Sequence, residues 1–182
     1  ARLLASNAGG EQISQATQRT LDADGRLALE RAGDAAQLER AGVLVDMLRE
    51  FSVRAPQLCV PLWTGQGTAA VDAALTPAQQ RAYLRLMGDM LLSAAREPRP
   101  PPSDDDGADL MGRAVRQAYA KYGRNAFDVP AALRDGRVTE MQVCDMAILT
   151  FSRVRSMRPA EAGALMRWLA HGKAPGDAGV AP

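Results

Sequence analysis

The stretch from Thr76 to Ala95 reads TPAQQRAYLRLMGDMLLSAA, and it carries most of the marks by which a sequence announces an α-helix. Thr76 is a preferred N-cap. Pro77 suits the first helical position, where its missing N–H costs nothing, and Gln79 stands three residues past the cap, placed to reach back to the cap's own N–H. Ala82, Leu86, Met90 and Ala94 then recur at four-residue steps, with Met87 and Leu91 widening the stripe. That is the spacing of one helix face. The segment is predicted to bury this stripe and to run to about Ala95.

The same grammar recurs on both sides. Thr139-Glu140-Met141-Gln142 is a second capping box, opening a helix with Met141, Cys144, Ile148, Phe151 and Val154 on one face. Pro159 starts a last helix through Leu165, Met166, Trp168 and Leu169, ending at Gly172. Between them, a helix is expected over Asp109–Tyr122 with Gly123 as its C-terminal cap, then a short turn of helix over Pro130–Arg134 closed by Asp135-Gly136. Upstream, Leu38, Ala41, Val45, Leu48 and Phe51 mark one long helix from Leu27 to about Arg54, with Glu39, Arg40, Asp46, Arg49 and Glu50 on the opposite side. Gly33 and Gly42 each weaken it by roughly 1 kcal/mol, so a break is expected near one of them. Pro56 ends it. Residues 56–75 read as a loop with one short helix, Gln12–Leu21 as a further helix, and Asp22–Gly25 as a turn or kink.

Composition agrees with that pattern. Of 182 residues 34 are Ala, only eight are aromatic and only two are Ile, so helix formers abound and strand formers are scarce. The fold class is all-α: a compact bundle of about six helices. Residues 97–107 read EPRPPPSDDDG, a run of prolines and aspartates that marks an exposed linker. The expected organisation is an N-terminal half (1–97), the linker (98–107), a C-terminal half (108–173) and a tail (174–182) too poor in large apolar groups to fold.

Charge excludes some functions. The 22 basic and 21 acidic side chains nearly cancel, which argues against a wholesale polyanion binder. No apolar run approaches the roughly 20 residues of a membrane span. The chain opens on Ala1, which reads as a piece processed or cut from something longer, with any targeting segment or anchor lying upstream.

Few residues invite chemistry. Cys59 sits in a proline-flanked loop and Cys144 on a helix face. Joined, they would close a loop of about 85 residues and contribute roughly 4 to 5 kcal/mol in the chain-entropy model, which implies an oxidising compartment. Two unlinked thiols packed as small hydrophobes are the alternative. The one histidine, His171, lies at a helix end, where it favours the dipole rather than acting as a base. One His and two Cys without C-x-x-C spacing offer no zinc set. Around Asp22 and Asp24 a calcium-loop register fails, because Arg31 falls where a bidentate Glu is required. No cofactor motif is present, so no metal and no cofactor are expected.

From Leu110 to Lys173 there are eleven basic and five acidic residues, concentrated at Arg153, Arg155 and Arg158. These are the candidates for an anion- or partner-binding face, against the plainer reading of a solvated helix surface. The eight methionines fall mostly at core spacing, either filling gaps or lining an adaptable groove.

The expected function is therefore a non-enzymatic helical interaction or structural module with a protein partner, in the periplasm or envelope of a bacterium. The alternative is a cytosolic nucleic-acid-binding or regulatory protein using the basic C-terminal face, with anionic lipid as a further anionic partner. An enzyme whose carboxylates do not stand out ranks last.

Overall fold

The computed structural model describes residues 24–66 and 69–172. The helix expected over Gln12–Leu21, the first half of the Asp22–Gly25 turn and the tail from Ala174 lie outside the described residues, and Asp24 and Gly25 open a helix. Among the described residues the chain is all helical, with no strand. In order these are α1 (24–31), α2 (Asp34–Arg54), a 3-10 turn (Pro56–Leu58), α3 (Cys59–Trp63), α4 (Ala69–Ala74), α5 (Pro77–Arg96), α6 (Asp104–Tyr122), a 3-10 turn (Arg124–Ala126), α7 (Val129–Arg134), α8 (Glu140–Arg155) and α9 (Pro159–Ala170). Nine α-helices are thus counted among the described residues, against the bundle of about six expected for the whole chain: the 24–54 stretch is two helices, the 56–75 stretch holds two short ones, and the turn of helix near Pro130 is a helix of its own, α7.

Local chemistry sets most boundaries. Both capping boxes form: the Gln79 N–H donates to Thr76 Oγ1 at 3.3 Å while the Thr76 N–H donates to Gln79 Oε1 at 2.9 Å, and Thr139 and Gln142 exchange the same pair at 3.3 and 2.8 Å. Gly123 ends α6 at φ 77°, a backbone region open to glycine at little cost. The break in the first long helix falls at Ala32-Gly33, where the Gly33 N–H donates to Ser93 Oγ of α5 at 2.9 Å.

α6 begins at Asp104, five residues before the expected start. Ser103 caps it by accepting from the Asp106 N–H at 3.2 Å, and Asp104, Asp105 and Asp106 fill its first turn. Three carboxylates there favour the positive end of the helix dipole, so residues that read as linker are helix. Of the prolines before α6, Pro98 and Pro100 are exposed and Pro101 and Pro102 half-buried, and the segment is tied down. The Arg99 N–H donates to the Arg31 carbonyl at 2.8 Å, and Arg167 Nε donates to the Pro100 carbonyl at 3.2 Å.

The main core draws on both sides of that segment. α2 lies against α8 and α9, and α8 also meets α3 and α6. Two glycines allow α9 to approach closely. A Cβ on Gly163 would stand 2.7 Å from the Asp34 Cα, and one on Gly107 would run into the Trp168 ring. Arg167 of α9 is buried and completes the seam: its Nη1 pairs with Asp34 Oδ1 at 2.8 Å and donates to the Ala32 carbonyl at 3.0 Å. A buried guanidinium needs such an ion partner and carbonyl acceptors to offset its lost hydration.

The expected stripes need two corrections. On α5 only Leu86 and Met90 are buried, in a small cluster with Ala28, Ala32 and Ala36 of α1, α2 and the break between them, while Ala82 and Leu91 are exposed. On α8 Met141 is 61% exposed while Val143, Met146, Ala147 and Thr150 are buried, since α8 is surrounded on several sides.

Candidate functional site

Cys59 and Cys144 form a disulfide, with Cα atoms 5.1 Å apart and both residues fully buried. It joins α3 to α8 beside an aromatic cluster in which Trp63 meets Phe127 edge-on at 5.5 Å and Phe151 at 6.5 Å.

The three arginines part company. Arg155 reaches toward α2, its Nε 3.6 Å from where a Gly42 Cβ would stand. Arg158 pairs with Glu161 at 2.7 Å. Arg153 lines a cavity of about 390 Å³ with Arg113 and Arg116 of α6. Glu161 also takes Arg113 at 3.0 Å, and the two guanidiniums, Arg158 foremost, hold its carboxyl down to about 2. Arg113 further meets Asp109 at 3.4 Å. Sequence spacing on one helix did not reveal Arg113 and Arg116, because only the α6–α8 packing brings them to Arg153. His171 is exposed at the end of α9, its Nδ1 3.6 Å from Glu30 Oε2. Among the described residues no group of three His, Cys, Asp or Glu side chains is arranged to hold a metal ion, and no helix is long and apolar enough to cross a membrane.

A second cavity, of about 330 Å³, lies between α2, α3, α4, α5 and α9. Its wall is largely apolar: Leu44 and Met47 from α2, Leu62 and Trp63 from α3, Val71 from α4, Leu86 and Met87 from α5, and Met166 and Leu169 from α9. Its volume is that of a pocket for a drug-sized molecule.

One cation enters this apolar wall. Arg40, placed by its sequence neighbours on the outer side of α2, is half-buried and lines the cavity. Its Nη1 donates to the Met166 carbonyl at 3.2 Å and to Gln37 Oε1 at 3.4 Å. Gln37 is fully buried and donates onward to the Leu29 carbonyl at 2.6 Å. Arg40 forms no ion pair with any described carboxylate; the acidic residue of the wall, Asp72, is exposed. Burial lowers the guanidinium to about 10, with Tyr83 acting the other way, so it stays charged at neutral pH. A trace of this was present in the sequence. Ala36, Arg40, Val43 and Met47 follow steps of four, three and four, a second helical stripe beside the one through Val45 and Leu48.

No protein-family model, curated protein or solved structure matches this chain.

Proposed function

We propose that this protein is a non-catalytic helical binding module of a bacterial cell envelope, folded in an oxidising compartment and acting through a protein partner. The observation that carries the reading is the disulfide between Cys59 and Cys144, buried in the core and spanning 85 residues of sequence. Disulfides of this structural kind persist outside the reducing cytosol. The surface of α5 supports the partner: Leu84 is 69% exposed, exposed Leu91 lies two turns further on above it, and exposed Leu92 stands beside Leu91. Exposed apolar residues gathered on one helix face are a feature of interaction surfaces.

Thiol titration of protein isolated from its native host without reductant, under denaturing conditions, tests the compartment. No reactive thiol is expected before reduction and two after it. Two free thiols before reduction would overturn the reading.

A second reading, an anionic partner at the basic face, is favoured by the meeting of Arg113, Arg116 and Arg153 around one cavity. Glu161 and Asp109 already answer Arg113 there, which leaves a small excess. Binding to duplex DNA that weakens steeply with salt and is lost in an Arg116→Ala, Arg153→Ala double variant would favour this second reading.

A further inference from the structure

We infer that the apolar cavity between α2, α5 and α9 is a binding site for a small anionic amphiphile, a molecule with one carboxylate-like head and an apolar chain, whose head pairs with Arg40. The chain would lie against Leu44, Met47, Trp63 and Met166, and the head would take the guanidinium donors that the protein leaves over.

Charge complementarity carries the assignment. A guanidinium has five N–H donors, and acceptors among the described residues engage only Nη1 of Arg40, at the Met166 carbonyl and Gln37. A guanidinium taken out of water is ordinarily answered by a carboxylate. Arg167, the buried arginine of α9, shows this within the same protein by pairing with Asp34 at 2.8 Å. Arg40 has the desolvation without a counter-ion among the described residues. A neutral apolar ligand would leave that charge uncompensated and remove its remaining contact with water, while a cationic one would be repelled. An anionic head is the chemistry that the site lacks.

A purely structural Arg40, tying α2 to α9 through Met166, makes a different prediction, because it confers no preference among head groups. The site also stands independently of the redox compartment and of the partner face: Tyr83, Leu86 and Met87 line it, whereas Leu84 and Leu92 do not.

The test uses the full oxidised chain with ¹³C-methyl-labelled methionine, titrated separately with decanoate, decanol and decyltrimethylammonium. Met47, Met87 and Met166 line the cavity, and Met111, Met141 and Met146 do not. Decanoate and decanol are expected to shift the first three methyl signals and leave the second three in place. Decanoate should bind roughly ten- to a hundredfold more tightly than decanol, the range expected for hydrogen bonds to a charged group, with decyltrimethylammonium weakest. In Arg40→Met the decanoate advantage should vanish while decanol still binds, which shows that the cavity has survived; Arg40→Lys should keep part of the advantage. Equal affinity for decanoate and decanol in the unsubstituted chain overturns the inference. So does an undiminished preference in Arg40→Met, a shift confined to the distant methionines, or no binding of either probe.

Discussion

Two regions of this molecule are made from similar alanine-rich helices and are held by different means. In the body, α2, α6, α8 and α9 bury Leu48, Phe51, Met111, Met146, Leu165 and Met166 almost completely, with the disulfide at one side and the Gly163 and Gly107 contacts at the other. On the flank, where α1 and α5 meet α2, the buried set is Ala28, Ala32, Ala36, Leu86 and Met90. Three of those five are alanines. Burial contributes in proportion to apolar area, at roughly 25 cal/mol per Å², so the flank gains far less per helical turn. Good caps and high propensity make α5 a helix; they do not anchor it. The apolar cavity lies on the seam between the two regions, lined by Met166 of the body and Leu86 of the flank.

The largest expected effect breaks the body. Replacing both Cys59 and Cys144 with Ala is expected to cost about 4 to 5 kcal/mol in the chain-entropy model, read as a lower denaturant midpoint in the oxidised comparison. A loss under about 1 kcal/mol would show that the unfolded chain gains little freedom from the cut.

Leu86→Ala addresses the flank. Removing a fully buried leucine costs about 2 to 5 kcal/mol where the site cannot collapse. Here the loss should fall on local opening: native-state hydrogen exchange is expected to show reduced protection in α5 and little change in the middle of α8. Even before substitution, α5 amides should exchange at a lower opening free energy than those around Met146. Equal protection in the two helices would remove the distinction between the regions.

A pair of glycine substitutions separates them by sign. Gly163→Ala brings a Cβ to within 2.7 Å of the Asp34 backbone, so α9 must shift and carry the Arg167–Asp34 pair with it, at a cost of about 1 to 3 kcal/mol. Gly88, in the middle of α5, is exposed with nothing within 4 Å of such a Cβ. Gly88→Ala should therefore stabilise α5 by about 0.5 to 1 kcal/mol through helix propensity alone. Thermal melts and α5 exchange rates read both; a destabilising Gly88→Ala would mean that this face is covered.

What could be seen in advance was what the chain encodes over a turn or two. Thr76 with Gln79 and Thr139 with Gln142 act on backbone groups three residues away, Gly123 on a carbonyl four residues back and Pro159 on its own φ, and each marks the helix boundary that it was expected to mark. The start of α6 was hidden because aspartates that solvate a loop are the same residues that favour a first helical turn. Partnerships across the fold had no local sign. Arg167 meets Ala32 and Pro100, and Arg153 meets Arg113 and Arg116, only through the packing of helices far apart in sequence. For the cysteines, sequence supplied two thiols and a loop length, while pairing required two Cα atoms 5.1 Å apart. Arg40 is the instructive case. Charge type argued for the outer side of α2, whereas its position in the Ala36–Met47 stripe placed it at the cavity, and position prevailed.

The smallest effect concerns a polar tie at the edge of the body, and its sign with pH is fixed by the geometry. Glu161 accepts from Arg158 at 2.7 Å and from Arg113 at 3.0 Å, with Asp109 as the other carboxylate on Arg113. These bonds lower its carboxyl from an ordinary 4.5 to about 2. A carboxyl depressed in the folded state binds its proton more readily when unfolded, so the stabilisation it provides is fully present above pH 4.5 and is lost as pH falls toward 2. Glu161→Gln keeps the shape and removes the charge. Its melting temperature should lie slightly below that of the unsubstituted chain at pH 7, with the gap closing between pH 4.5 and 2 and shrinking as salt is added, since surface ion pairs are weak and screened. A gap that persists unchanged at pH 2 would assign Glu161 a packing role in joining α6 to α9 rather than an electrostatic one.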